Sequence, residues 1–301
     1  MKIFITGGLG FVGRHLSRAL LSDGHQVTAV GRSRGPSVKF DNPNFNYLSA
    51  DTTHAGQWQK QLADSDIIIN LAGRSIFTRW TPKVKQAIYD SRILTTRQIV
   101  NTLLPDKQIT LINTSAVGYY GDRDDEVLTE TASAGNDFLA RVSSDWEQEA
   151  LKANSGRARV VLMRLGIVLD RSGGAMAKMV QAFRMFVGGR LGSGRQWFPW
   201  IHLNDLIAAY RFIIAHQEIV GPVNCCAPNP VRNSDLTKAL ADKLNRPAMF
   251  PLPAFAVKAT AGEFADALLS SQRAQPAVLI KAGFRFTYPD IESALEEIVT
   301  R

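Results

Sequence analysis

Residues 2–13 read Lys-Ile-Phe-Ile-Thr-Gly-Gly-Leu-Gly-Phe-Val-Gly, an apolar run that leads straight into Gly8-x-Gly10-x-x-Gly13. Glycines at this spacing are common in loops; the context is what decides the fold. A β-branched and aromatic segment precedes them, and Val12, Leu16, Ala19 and Leu20 follow at helical spacing. A strand, a tight glycine turn and a helix in that order let the backbone approach a pyrophosphate closely, with the diphosphate at the helix N-terminus. Gly7, Gly10, Phe11, Val12 and Gly13 are therefore the candidate cradle residues.

The second strand, Gln26–Val30, follows the helix stop Asp23-Gly24 and leads into Gly31-Arg32-Ser33-Arg34. A binder of NAD places Asp or Glu about 20 residues past the glycines, to hold the ribose 2′-OH. Here Arg32 and Ser33 offer a cation and a hydroxyl instead, which suits a 2′-phosphate. The expected cofactor is NADP(H); a solvated surface arginine is the competing account of Arg32.

Strands and helices alternate through the first half. Strands are expected at Phe45–Leu48, Asp66–Asn70, Ile109–Asn113 and Arg159–Met163. Helices are expected near 56–63, from Pro82 to about Leu104 before Pro105, and over Phe138–Ala153. The alternation implies a doubly wound parallel sheet. The pattern changes at Gly166: an amphipathic stretch bounded by Gly173 and Gly189 leads to Trp197-Phe198-Pro199-Trp200, and Asn233–Arg301 reads as helical. The expected division is an α/β nucleotide-binding domain of residues 1–166 plus 200–226, and a smaller, mainly helical lobe of 167–199 plus 227–301.

Composition narrows the partners. The chain has 301 residues, 45% hydrophobic and 21% charged, which suits an ordinary globular protein. Its net charge of +8 comes from dispersed Lys and Arg with no basic run or aromatic interleaving, so nucleic acid is not expected. No stretch has the length of a membrane span, and the N-terminus reads as strand, so no membrane partner is expected either. Two adjacent cysteines, Cys225 and Cys226, suggest neither a disulfide framework nor a metal site, and a cytoplasmic location is the expectation. The oligomeric state is left open.

Several segments carry a resemblance. Thr6–Gly13 resembles the nucleotide loop of extended short-chain dehydrogenases/reductases, and Asn70-Leu71-Ala72-Gly73 resembles their Asn-Ala-Ala-Gly strand end. Trp200–Leu206 is similar to their strand-to-helix segment ending in an aspartate. Thr114-Ser115-Ala116-Val117-Gly118-Tyr119-Tyr120-Gly121 and the tail are more specific. In the tail these are Arg246-Pro247, Pro251-Leu252-Pro253, Gly262-Glu263, Ser271-Gln272-Arg273 and Ala282–Phe286. Together they resemble the atypical group of epimerase-family, or sugar-nucleotide-epimerase-like, oxidoreductases.

The resemblance implies a Tyr/Lys pair on the helix after the fifth strand and a Ser on that strand, the Tyr acting as acid/base beside a cation. The helix reads Phe-Leu-Ala-Arg-Val-Ser-Ser-Asp-Trp-Glu over residues 138–147, with neither residue. The candidate catalytic groups are then Ser115, expected just past its strand, and the phenols of Tyr119 and Tyr120. A turn serine and packing rings are the alternatives. The resemblance also implies cofactor contacts for Asp51 near the adenine, for Leu71, Ala72 and Gly73 beneath the ribose, and for Arg92. Asp51 has an Asx-turn alternative and Arg92 a solvated one. Arg164, leaving its strand at the sheet's carboxyl edge, is a candidate for an anionic group. Trp200 and His202 are candidate substrate contacts, with a structural histidine as the alternative.

The expected activity is NADP(H)-dependent oxidation, reduction or epimerisation at a hydroxyl or carbonyl of a small substrate. A protein that kept the cofactor and lost catalysis, a redox sensor, is the rival reading.

Overall fold

The computed structural model describes residues 1–104, 107–155, 158–248 and 251–300. Its centre is a seven-stranded, all-parallel sheet. The strands are β1 (Lys2–Thr6), β2 (Gln26–Gly31), β3 (Phe45–Ser49), β4 (Ile67–Asn70), β5 (Ile109–Ala116), β6 (Ala158–Leu165) and β7 (Gly221–Cys225). They lie in the order β7-β6-β5-β4-β1-β2-β3. The order reverses direction between β1 and β4, the crevice where open α/β sheets bind ligands outside their carboxyl ends.

Parallel strands covered on both faces read as continuous apolar runs, and β4, Ile67-Ile68-Ile69-Asn70, is buried throughout. Alternate side chains divide between two cores. Ile3, Ile5, Ile67 and Ile69 face helices α1 (Phe11–Ser22) and α6 (Leu203–Ala215). Phe4, Ile68 and Leu111 pack on the opposite face with Trp58 and Leu62 of α2 (Trp58–Ala63), Ile99 of α3 (Pro82–Val100) and Ala150 of α4 (Phe138–Leu151). Truncating one of these buried aliphatic chains to Ala costs about 2–5 kcal/mol.

Two element ends differ most from expectation. Helix α3 starts as expected, with Pro82 after Thr81, whose side chain caps the Val84 N–H. It stops at Val100: Thr102 returns its N–H to Ile99 and its hydroxyl to the Gln98 carbonyl, tightening the chain out of the α-helix. Pro105 lies outside the described residues. Strand β5 continues past Asn113 to Ala116, because β6 pairs with it in register from Ile109↔Ala158 to Ala116↔Leu165 after β4 has ended.

The C-terminal region is helical: α5 (Gly174–Arg184), α7 (Asn233–Leu244), α8 (Ala254–Ala261), α9 (Phe264–Leu269), α10 (Ala277–Lys281) and α11 (Ile291–Thr300). A third core of Met176, Phe183, Leu236, Leu240, Leu295 and Ile298 joins α5, α7 and α11. Separate two-stranded pairs lie outside the central sheet, Ile167–Asp170 with Trp200–His202 and Val127–Leu128 with Arg273–Ala274; the second ties the C-terminal region to the chain that follows β5. Asp205, buried in the first turn of α6, accepts the Thr287 and Tyr288 N–H groups at 2.8 and 2.9 Å and so pins the tail.

Candidate functional site

The glycines of the β1–α1 turn have separate duties. Gly7 has φ +66°, and a Cβ there would stand 3.0 Å from the Leu71 carbonyl. A Cβ on Gly13 would lie 2.3 Å from the Gly7 oxygen, so Gly13 is what lets the helix press against the turn. A Cβ on Gly10 would meet only the Gly7 oxygen, at 3.1 Å, and otherwise point outward. Gly10 is also the N-cap of α1, with no side chain capping it. The arrangement leaves the first turn's N–H groups and the helix dipole for an anion, at a place only glycine keeps clear.

Phe11 and Val12 turn toward the protein rather than the groove. Both pack against the α1–α6 core, and the Phe11 ring also fills the space above Gly173 and Gly174, where a Cβ would come within 2.8 and 2.9 Å of it. Arg14 holds the same strap, donating to the Ser172 carbonyl at 3.0 Å. The side chains of Phe11 and Val12 are thus taken up in packing.

Gly7 and Gly10 line a cavity of about 580 Å³ together with Gly31, Arg32, Ser33 and Tyr47. Tyr47 donates its hydroxyl to the Ser33 carbonyl at 2.8 Å, which fixes the turn that carries Arg32 and Ser33, both exposed. Asp51, beyond β3, accepts the Thr53 hydroxyl and N–H at 2.7 and 3.1 Å. The Thr53 hydroxyl is the main reason its carboxyl stays below the usual range, and the Arg32 charge adds a smaller pull. The Asx-turn geometry is thus present, within electrostatic reach of Arg32.

Deeper in the crevice the strand ends are cross-linked. The Thr6 hydroxyl donates to Asn70 Oδ1 at 2.6 Å, and Asn70 Nδ2 donates to Thr96 Oγ1 and Asn113 Oδ1 at 2.9 and 2.7 Å. All four side chains are buried, and a fully satisfied network of this kind rigidifies what it joins. Leu71, Ala72 and Gly73 follow this anchor, with the Leu71 and Ala72 backbone against Gly7. The Arg92 guanidinium sits under Gly73, donating to the Arg74 and Ile88 carbonyls at 3.1 and 3.0 Å. Burial pushes its pKa down to about 10, so it remains a cation at neutral pH.

The structure corrects the picture at the ends of β5 and β6. Ser115 lies inside β5, 1% exposed, and donates to Glu147 Oε1 at 2.6 Å. Glu147, on α4, forms a two-pronged ion pair with Arg164, with both bonds at 2.8 Å. Arg164 also donates to the Tyr120 hydroxyl at 3.0 Å, and that hydroxyl donates to Asn224 Oδ1 at 2.7 Å. Tyr120 is wholly buried, and burial pushes its phenol up to about 12. Burial opposes the Arg164 charge, but Glu147 outweighs it and raises its pKa. The hydroxyls of Ser115 and Tyr120 and the charge of Arg164 thus serve one another, and Arg164 is not an open anion receptor.

Tyr119 is different. It is half-buried, its ring centroid lies 3.6 Å from the Arg164 guanidinium carbon, and its hydroxyl makes no hydrogen bond among the described residues. Trp200 and His202 need a second correction: they are 1% and 0% exposed and lie in the packing, not in the groove. His202 caps α6, accepting the Asn204 N–H at Nδ1 and facing Glu297 with Nε2 at 3.1 Å. Its ring lies 3.9 Å from that of Tyr288.

Sequence reasoning missed Glu147, Glu130 and Asn224. Glu130 Oε1 accepts the N–H groups of Asn224 and Val278 at 3.0 and 3.1 Å, joining β7 to α10. A glutamate at the apolar spacing of α4 was the one available signal for Glu147, since a buried charge needs a partner.

Cradle, crevice and sheet order define an α/β protein of the nucleotide-binding, short-chain dehydrogenase/reductase type. The chain belongs to the NAD dependent epimerase/dehydratase family, whose profile matches residues 3–226, and residues 252–298 match a domain of unknown function, DUF1731. It is 38% identical to the chloroplastic epimerase family protein SDR39U1 homolog of Arabidopsis thaliana, over 99% of this chain and 87% of that one. It is 41% identical to the epimerase family protein Mb2239 of Mycobacterium bovis, over 99% and 98%. The crystal structure of the human epimerase family protein SDR39U1 (isoform 2) with NADPH superposes with a TM-score of 0.87 at 30% identity, covering both chains fully. These relatives place the chain in the atypical group of the superfamily. Among the described residues no helix is long and apolar enough to cross a membrane.

Proposed function

We propose that the protein is an NADP(H)-dependent oxidoreductase or epimerase-like enzyme acting on a hydroxyl or carbonyl of a small substrate. The observation that carries this reading is that Arg32 and Ser33 line the same cavity as Gly7 and Gly10. Backbone groups of the Gly7–Gly13 turn would hold the pyrophosphate, and Arg32 with Ser33 the 2′-phosphate. Asp51 would face the adenine side, while Leu71–Gly73 with Arg92 beneath would support the ribose. The human relative solved with NADPH supports the assignment. When bound, the cofactor supplies or accepts a hydride.

The protein's own task is then to orient the substrate and move a proton. Tyr119 is the residue proposed for that step, because its hydroxyl is unengaged and its ring is fixed on Arg164. Ser115 and Tyr120 position Arg164 and Glu147 rather than substrate. Incubating the protein with NADPH and fractionated metabolites, and following cofactor absorbance, tests the reading. Turnover that survives in Tyr119→Phe would remove Tyr119 from it.

One observation favours the sensor reading as a second possibility. Two of the three hydroxyls available for chemistry are locked in a buried network, and α4 carries neither Tyr nor Lys. Tight NADPH binding with no oxidation by any metabolite fraction is the result that would select it.

A further inference from the structure

A second cavity, of about 450 Å³, lies on the C-terminal region and shares no lining residue with the cofactor groove. Three cations line it: Arg190, Lys238 of α7, and Arg246. Asp242, one turn after Lys238, is the one carboxylate among the lining residues, so positive charge dominates. None of the three cations is in an ion pair among the described residues. Ser234 and Thr237 add hydroxyls on the α7 side, and Pro247, Ala248 and Pro251 form an apolar wall.

Arg246 is held ready rather than free. Its guanidinium lies 5.0 Å from the centroid of the Phe186 ring, and Nη1 donates to the Asn245 carbonyl at 3.1 Å. Its Nε is buried with no hydrogen-bond partner among the described residues. Phe186 reaches this place with φ +60°, a conformation a bulky side chain seldom adopts and one that needs the surrounding structure to hold it. Met185, Phe186 and Val187 are 58%, 57% and 65% exposed, a run of apolar side chains beside the cations.

We propose that this cavity is a second ligand site, for a phosphorylated small molecule with an apolar or planar body. The phosphate would meet Arg246, Lys238 and Arg190, with the Ser234 and Thr237 hydroxyls completing its hydrogen bonds. The body would lie toward the proline wall and Phe186. The three cations come from three segments: the chain before Gly192, α7, and the turn after Asn245. These segments are already joined, since the Leu252 N–H donates to the Arg190 carbonyl and Ser234 N–H to Gly194. An occupant that bridges them stabilises the folded C-terminal region, the more so the further its concentration exceeds its Kd. The site is independent of the proposed activity.

The test uses full-length protein saturated with NADPH, so that the cofactor groove is filled, and titrates phenyl phosphate and inorganic phosphate by calorimetry. Phenyl phosphate is expected to bind at least about tenfold more tightly than inorganic phosphate, because only it reaches the apolar wall. Lys238→Gln and Arg246→Gln are each expected to weaken phenyl phosphate by about tenfold or more, the effect of one lost charge-assisted hydrogen bond. Lys238 is exposed on its helix, so its variant keeps the test valid should Arg246→Gln fail to fold. No binding at millimolar ligand overturns the proposal, and so does an equal loss in the distant surface variant Lys60→Gln. Unchanged affinity in both cavity variants does the same.

Discussion

The Arg164 guanidinium carbon lies 3.6 Å from the centroid of the Tyr119 ring, while its Nη1 donates to the hydroxyl of the adjacent Tyr120 at 3.0 Å. One cation thus divides two neighbouring phenols. It uses the hydroxyl of the buried one and only the ring face of the other. Tyr119 keeps its hydroxyl for other partners.

The two tyrosines should therefore respond oppositely to loss of the hydroxyl. Tyr119→Phe is expected to leave stability within about 0.5 kcal/mol and to lower turnover by about 10²–10⁴ once a substrate is in hand. Tyr120→Phe leaves Arg164 and Asn224 each short of a buried partner and should cost about 1–3 kcal/mol in urea unfolding. Equal stability losses in both variants would contradict the division.

Cofactor choice should rest on Arg32. Arg32→Ala is expected to weaken NADPH while leaving NADH nearly unchanged, as measured by fluorescence titration of both cofactors. A parallel loss for the two would show that Arg32 does not meet the 2′-phosphate.

The glycines of the cradle should separate folding from binding. Gly10→Val projects outward from a backbone at φ −69° and should fold normally while losing dinucleotide binding. Gly13→Val places carbon 2.3 Å from the Gly7 oxygen and should fail at the level of folding. Circular dichroism and cofactor titration on the pair distinguish the two roles; normal cofactor affinity in Gly10→Val would end the assignment.

Breaking the buried ion pair should be costly because it strands a charge. Glu147→Gln leaves Arg164 without its carboxylate and should destabilise by about 3–5 kcal/mol, read from denaturant midpoints. A loss below about 1 kcal/mol would mean that Arg164 finds another partner.

Acid should weaken the fold at α1. Burial is the main cause that lowers the His15 pKa below its ordinary 6.5, with the Arg14 charge adding to it. The folded state then binds fewer protons than the unfolded state, so the stability His15 contributes is complete above pH 6.5 and is lost as pH falls through the folded value. Denaturant midpoints at descending pH should fall less steeply in His15→Gln than in the unaltered protein. Identical pH profiles would rule His15 out as the source.

The dinucleotide cradle was legible in the sequence because its physics is local. Strand, turn glycines and helix start are contiguous, and Gly10 and Gly13 act within a few residues of themselves, although Gly7 is also crowded by the distant Leu71 carbonyl. The same holds for the absence of an acid after β2 and for the alternation that builds the parallel sheet. Which way Ser115 faces was not local. It depended on β6 extending β5 by three residues, which set the side-chain alternation and aimed the hydroxyl at α4. Arg164 and Glu147 lie on different elements, and Asn224 is on an edge strand far along the chain, so only folding could show that they consume one another's charges and hydroxyls. Trp200 and His202 carried residue types suited to a site, yet burial against the C-terminal helices made them packing and capping groups. Local backbone geometry determines where a phosphate can approach. Long-range packing determines which polar side chains have hydrogen bonds left to offer.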